Sequence, residues 1–261
     1  LVAQLRVSRK LHDSTMVQII SLRAGSRRID FETVIDWNER HKLLKVDFPV
    51  TIHANEALHE IQFGHIARPT HKSRQFDADR YEVSAHKWSA LMEANRGCAV
   101  LNDCKYGVNV DGNSINLTLL KAAVAPDLTA DLGQQEFTYA FYVWNGAFGD
   151  CDLVRQGYDL NVPVQTAPGD AGKKTLFSLD APNIILDTVK AAEDGSGDIV
   201  LRMFECKRMA TRCKLSGAFK ASRVQETNML ESEGRDLPLD ACSVPLEFRP
   251  FEIKTLRVTL A

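Results

Sequence analysis

Residues 29–50 read IDFETVIDWNERHKLLKVDFPV, and this stretch decides the fold class. Apolar and polar residues alternate over 29–35 and again over 44–50, which is the period of a half-buried β-strand. The polar segment 38–41 separates the two runs. The stretch therefore predicts two strands joined by a polar connection.

The same period recurs along the chain, whereas helical signals are few. A short helix is predicted over 150–158, with Asp150 or Asp152 as its cap. Many strands joined by polar turns favour an all-β fold, a large antiparallel β-sandwich, over an α/β fold. Further strands are predicted at residues 108–116 (a hairpin with its turn at 111–113), 139–143, 199–204 and 253–260.

A turn-rich segment, Asp-Gly-Ser-Gly-Asp at 194–198, predicts the domain boundary. We expect a large sandwich over residues 1–194 and a smaller C-terminal β unit over 195–261. The smaller unit either stands alone or completes the same sandwich. The chain begins without Met and already alternates in its first residues, which favours a segment of a longer polypeptide.

The composition limits the classes of partner and metal site that the chain is expected to have. The net charge of −2 gives no electrostatic basis for binding nucleic acid or an anionic membrane, so neither partner is predicted. The six cysteines lack CxxC pairs and nearby histidine clusters, which favours free thiols in a reducing cytosol over a zinc site. His53 and His59 invite a metal interpretation, but successive strands or loop ends are the more ordinary placement. No metal ligand and no catalytic residue is predicted in this chain.

The segment 101–107 differs in character from the apolar strand before it. Asn102, Asp103, Lys105 and Tyr106 bring an amide, a carboxylate, an ammonium and a phenol together. Each group offers a directed donor or acceptor of the kind that binds sugar hydroxyls. A polar strand end closed by a turn explains the same residues without any ligand, and the spacing alone favours this structural interpretation.

Two further features allow both a functional and a structural interpretation. Each of the three tryptophans, Trp37, Trp88 and Trp144, is able to stack on a sugar ring, but burial in the core is the commoner fate of tryptophan. The polar run 68–72 follows a predicted strand and is expected to form a loop at one end of the sandwich.

Five segments, taken in order, resemble characteristic runs of glycoside hydrolase family 38. Residues 36–49 follow the pattern DWxExHxLLKVxFP, and residues 60–71 follow EIQFGxIxRPTH. Residues 81–88 resemble FEVPAHRW, and residues 135–140 resemble HEFTYA. Residues 101–107 match LNDCKYG of the cytosolic and bacterial branch. Five ordered blocks are far more specific than any one motif. The chain therefore resembles the C-terminal β region of a family 38 α-mannosidase of the cytosolic or bacterial type.

The resemblance implies a galactose mutarotase-like supersandwich that packs against a catalytic barrel absent from this chain. In this family the barrel supplies the nucleophilic Asp and a divalent metal site, usually zinc, and a helical domain follows it. The full-length protein is then expected to be a cytoplasmic, retaining hydrolase of terminal α-mannosyl residues in oligosaccharides, and this chain alone is expected to be inactive.

Golgi-type members of the family use a basic residue of an Asp-Arg-Arg segment to reach the substrate. The corresponding positions here are 103–105, so the resemblance implies that role for Lys105. Lysine donates as a point charge and lacks the guanidinium fork. Two alternatives stay open: an independent carbohydrate-binding module, and a structural or homo-oligomerisation domain without sugar contact.

Overall fold

The computed structural model describes residues 1–169, 172, 174–218, 220–240 and 242–261. These residues form β-strands with little helix, and the strands pair antiparallel. The chain divides into two compact units, Leu1–Val164 and Gln165–Ala261. The prediction of an all-β sandwich fold is confirmed.

The first unit pairs an eight-stranded sheet with a four-stranded one. The larger sheet has the order β1-β2-β3-β12-β9-β8-β5-β6 and the smaller has the order β4-β11-β10-β7. A single turn of 3-10 helix, Phe148–Asp150, precedes the second helix. The elements are β1 Val2–Leu11, β2 Ser14–Arg23, β3 Arg28–Trp37, β4 Leu43–Pro49, β5 Glu56–Ile61, β6 Gly64–Pro69, α1 Gln75–Ala78, β7 Val83–Ser84, β8 Trp88–Met92, β9 Arg96–Asn102, β10 Gly107–Asp111, β11 Ser114–Lys121, β12 Gly133–Asn145 and α2 Leu153–Asn161.

The two strands predicted in residues 29–50 belong to different sheets. β3 lies in the eight-stranded sheet and β4 in the four-stranded sheet, so the polar segment between them crosses from one layer to the other. Their inward aromatic side chains meet, with the Phe31 and Phe48 ring centroids 6.0 Å apart. Tyr139 of β12 stacks on Phe31 at 4.8 Å. The alternation in this stretch thus builds the core between the sheets.

Strand β9 departs from alternation because both of its faces are covered. After the exposed Arg96, every residue of the strand is buried. Helix α2 packs against this strand on one side, and a strand covered on both faces becomes continuously apolar. Gly157 permits the close packing of the helix, since a Cβ there would lie 3.1 Å from Cδ1 of Trp88. The predicted helix is present, with Asp152 at its N-cap position.

The second unit contains a three-stranded and a five-stranded sheet around its own core. The first has the order β13-β16-β19 and the second the order β14-β15-β20-β17-β18. Leu201, Met203 and Leu256 are fully buried within that core. The strands are β13 Phe177–Leu179, β14 Ile184–Ala191, β15 Ile199–Glu205, β16 Thr211–Gly217, β17 Ala221–Thr227, β18 Arg235–Asp236, β19 Ser243–Phe248 and β20 Ile253–Leu260.

The division between the units differs from the boundary expected after residue 194. The structure divides the chain between Val164 and Gln165, so residues 1–194 and 195–261 are not the compact units. The turn-rich segment instead joins β14 to β15, where Ala191 pairs with Ile199. Glycine and aspartate serve a tight turn within one sheet as well as they serve a linker. Composition alone could not separate the two.

Candidate functional site

The polar segment forms a loop between β9 and β10, here called the 102–106 loop. Asn102 ends β9 and is only 3% exposed. Its Nδ2 donates to the carbonyl of His86 at 2.7 Å, and its Oδ1 accepts the backbone N–H of Lys105 at 2.8 Å. Both polar atoms of the amide are therefore used inside the protein, where they fix the shape of the loop.

Neighbouring elements hold the start of the same loop. From the end of α2, Nδ2 of Asn161 donates to the backbone carbonyl of Asn102 at 3.0 Å. On β12, Thr138 donates its N–H to Oδ2 of Asp103 at 2.8 Å, and its carbonyl accepts the N–H of Asp103 at 3.1 Å. The second carboxylate oxygen, Oδ1, is buried and has no hydrogen-bond partner among the described residues.

Lys105 and Tyr106 present the polar surface of the loop. The Lys105 ammonium lies 4.6 Å from the centre of the Phe137 ring, and no ion pair to it is found in the part of the chain that the structure describes. Tyr106 is 49% exposed, and its ring lies 5.2 Å from that of His86. Nε2 of His86 is 3.3 Å from the side-chain nitrogen of Gln62. Tyr106, His86 and Gln62 thus place a phenol, an imidazole and an amide side by side, and each group is able to hydrogen-bond hydroxyl groups. The Lys105 ammonium adds a charged donor on the side of the loop that faces β12.

Cys104 does not add a nucleophile to this loop. Partial burial of its sulfur, together with the Asp103 carboxylate, raises the pKa of the Cys104 thiol to about 11. The thiolate is the reactive form of cysteine, so a neutral thiol at ordinary pH is a poor nucleophile.

The other candidates from the sequence are placed less favourably for a ligand. Trp37, Trp88 and Trp144 are 1–3% exposed, so all three belong to the core and none is free to stack on a sugar. His59 is buried against Ser89, with Nδ1 2.9 Å from Oγ, whereas His53 is exposed. Among the described residues, no three or more His, Cys, Asp or Glu side chains come together to hold a metal ion.

Sequence reasoning missed His86, Gln62 and Phe137 as neighbours of the loop. They lie on or beside strands that approach it only through the pairing of β9 with β8 and β12. The register that places Tyr139 opposite Asn102 brings Phe137 towards Lys105. No local pattern in the sequence carries that information.

Two family models match the chain. The glycosyl hydrolases family 38 C-terminal domain matches residues 1–129, and the glycosyl hydrolases family 38 C-terminal beta sandwich domain matches residues 183–256. The chain belongs to glycosyl hydrolase family 38. The two family 38 models fall on opposite sides of the division after Val164, in agreement with the two compact units.

The chain is similar in sequence to proteins named as α-mannosidases. The chain is 39% identical over 256 residues to alpha-mannosidase 2C1 of Mus musculus, covering 95% of this chain and 25% of the relative. It is 40% identical over 252 residues to alpha-mannosidase G of Dictyostelium discoideum, covering 92% of this chain and 23% of the relative. The chain therefore spans about a quarter of the length of the relatives that it matches.

The fold of this chain is also that of a solved α-mannosidase structure. The crystal structure of an alpha-mannosidase from Enterococcus faecalis V583 superposes with a TM-score of 0.77 at 21% identity, over 94% of this chain and 29% of that one. Neither helix among the described residues has the length and apolar character needed to cross a membrane.

Proposed function

We propose that this chain is the C-terminal β region of a longer, retaining α-mannosidase that removes terminal α-mannosyl residues from oligosaccharides. Family membership over both compact units carries the proposal, and the α-mannosidase relatives at 39–40% identity support the substrate class. The short span relative to those proteins supports a catalytic barrel and a helical domain elsewhere in the polypeptide.

In this proposal the 102–106 loop completes the wall of the sugar pocket. Lys105 and Tyr106 donate to substrate hydroxyls, because the ammonium has no carboxylate partner among the described residues and the phenol is exposed. Asn102 and Asp103 position the loop through their bonds to His86 and Thr138. The loop thus binds and orients the sugar without performing the chemistry.

The carboxyl groups that retaining hydrolysis requires are proposed to lie in the catalytic barrel. The proposed divalent cation, zinc in the resemblance, is also assigned there, since the described residues of this chain offer no suitable donor set. A cytoplasmic location is part of the same proposal, and the free cysteines are compatible with it.

The proposal is tested in the full polypeptide that contains this chain. Replacing Lys105 by Met keeps the side-chain length and removes the donor. We expect kcat/KM for p-nitrophenyl α-mannoside to fall by roughly tenfold or more, because a hydrogen bond from a charged group contributes about 1.5–3 kcal/mol. The matched control is Lys10→Met on the exposed strand β1, which should leave kcat/KM unchanged.

Equal kinetics in the two variants would exclude the loop from the sugar pocket. A second measurement separates the proposal from an independent sugar-binding module. Calorimetry of this chain alone with mannose should show no binding heat at millimolar sugar, since one loop offers only part of a pocket. Saturable heat that is lost on Tyr106→Ala would favour the binding module instead.

A further inference from the structure

The first unit contains a second polar site, and none of the residues that line it belongs to the 102–106 loop. It is a cavity of about 40 Å³ beside the end of β6, here called the Arg68 cleft. The sequence predicted a loop over 68–72, but Arg68 lies in the strand and turns a guanidinium towards this cavity. The residues that line it and bear on its chemistry are His59, Arg68, Asp77, Arg80, Glu82 and Asn109.

The two carboxylates in the wall of the Arg68 cleft are already neutralised. Arg74 holds Asp77 through two parallel bonds, Nε to Oδ2 at 2.8 Å and Nη2 to Oδ1 at 3.0 Å. Lys45 donates to Oε1 of Glu82 at 2.7 Å. Neither carboxylate is therefore left to balance a further positive charge.

The two guanidinium groups of the Arg68 cleft lack such a partner. No carboxylate pairs with Arg68 or Arg80 in the part of the chain that is described, and Nη1 of Arg68 is buried without a hydrogen-bond acceptor. Arg80 is exposed and lies 5.0 Å from the centre of the Phe76 ring. Lys72 at the rim is paired with Asp111 at 3.2 Å. The cleft therefore carries two uncompensated positive charges.

Burial and the excess of positive charge lower the pKa values of Arg68 and His59 in the cleft. Burial and the nearby charge of Arg80 lower the pKa of Arg68. Burial and the charge of Arg68 lower the pKa of His59 to about 3, so its imidazole is neutral at ordinary pH. Two neighbouring guanidinium groups without a carboxylate partner repel each other, and an anion in the cleft would offset that repulsion.

We propose that the Arg68 cleft binds a small oxyanion, a carboxylate or a phosphate group. The guanidinium groups of Arg68 and Arg80, which line the cleft, supply charged donors, and the Asn109 amide adds a neutral one. Guanidinium groups match the geometry of both oxyanions. The cavity accepts one small group and is too small for a sugar ring. The oxyanion is either free in solution or a carboxylate side chain of polypeptide outside this chain. The proposal is independent of the mannosidase proposal.

The test titrates this chain with inorganic phosphate and, separately, with acetate, at ionic strength held constant with chloride. Binding is followed through the NMR signals of the arginine Nε–H groups and through the thermal unfolding temperature. We expect saturable binding that Arg68→Gln weakens at least tenfold and that Arg80→Gln weakens less. Arg6→Gln, on the exposed strand β1, is the matched control and should bind as the wild type does.

The unfolding temperature without added oxyanion gives a second readout. Arg68→Gln relieves the repulsion with Arg80, so its unfolding temperature should equal or exceed that of the wild type, whereas a purely structural arginine would lower it. Should Arg68→Gln fail to fold, Arg68→Lys keeps the charge, loses the fork and should still bind more weakly.

The two titrations distinguish the sources of the oxyanion. Preference for acetate assigns the cleft to a carboxylate side chain, and preference for phosphate assigns it to a free phosphate group. Absence of saturable binding of either anion at millimolar concentrations would overturn the proposal. So would an equal loss of binding in the Arg68 and Arg6 variants.

Discussion

The side chain of Asn102 stands where β9 ends and the 102–106 loop begins. Asn102→Ala leaves the His86 carbonyl and the Lys105 N–H without their partners inside the protein. We expect the free energy of unfolding to fall by about 1–3 kcal/mol, the cost of leaving buried polar groups unsatisfied. Urea unfolding followed by tryptophan fluorescence measures it.

The matched control for that substitution is Asn38→Ala. The side chain of Asn38 is exposed, so its removal should change the free energy of unfolding by less than about 0.5 kcal/mol. Asn102→Asp keeps the acceptor for Lys105 but places a carboxylate oxygen against the His86 carbonyl. It should therefore destabilise at least as much as Asn102→Ala, and a neutral result would exclude the positioning role of Asn102.

At the scale of the strand pair, β9 and β12 interlock through one glycine. Gly97 lies opposite Trp144, and a Cβ at position 97 would come within 2.0 Å of the indole. The indole is 3% exposed and has little room to move. We expect Gly97→Ala to lower the free energy of unfolding by about 2 kcal/mol or more, the penalty of overpacking a close-packed core.

A strand glycine with ordinary surroundings provides the comparison. A Cβ at Gly107 would make a normal contact of 3.4 Å with Glu82, so Gly107→Ala should be tolerated within about 1 kcal/mol. Trp144→Phe replaces the indole with a smaller ring. In that background Gly97→Ala should lower the free energy of unfolding by less than it does in the wild type. Thermal unfolding of the wild type, the two single variants and the double variant measures that coupling, and equal costs in both backgrounds would mean that the indole is not the obstacle.

The positions of the strands were easier to predict from the sequence than the strands with which they pair. Alternation over residues 29–50 predicted β3 and β4, because one buried face leaves a period of two. It could not show that the strands lie in opposite sheets, since that depends on their distant pairing partners, β12 for β3 and β11 for β4. The turn at 194–198 was mistaken for a boundary because hairpins and linkers share the same residues. The sequence could not indicate a site at Arg68. The absence of an acceptor for its Nη1 depends on which side chains surround it in the folded protein.

At the scale of the whole molecule, the two units carry different reporters. All three tryptophans, all five tyrosines and all seven histidines lie before residue 165. Tryptophan fluorescence therefore follows the first unit alone. The second unit is followed through Cys206 and Cys213, which are 2% and 7% exposed and react with a thiol reagent only after that unit opens. Their labelling is read residue by residue by mass spectrometry, because Cys98 in the first unit is also buried and Cys104 is exposed. The same sample thus reports on each unit separately.

Acid should destabilise the first unit before the second. The pKa of His59 is held at about 3 by burial and by Arg68, against an ordinary value of 6.5. Between those two values the unfolded chain binds a proton that the folded chain does not, so stability is full above pH 6.5 and falls as the pH drops. The loss at pH 5 should be about 2 kcal/mol.

The second unit has no histidine, and its acid response begins lower. Hydrogen bonds from Ser196, and then from Arg257, lower the pKa of Asp194 to about 2, so this contribution is present above the ordinary carboxyl pKa and is lost only towards pH 2. Urea unfolding is compared at pH 7.5, above the ordinary pKa of histidine, and at pH 5, between that value and the pKa of His59 in the folded protein. The lower pH should shift the fluorescence midpoint and not the midpoint of Cys206 and Cys213 labelling. His59→Gln should abolish most of the fluorescence shift, whereas His53→Gln, an exposed control, should keep it. A shift that survives His59→Gln would assign the acid response to other groups.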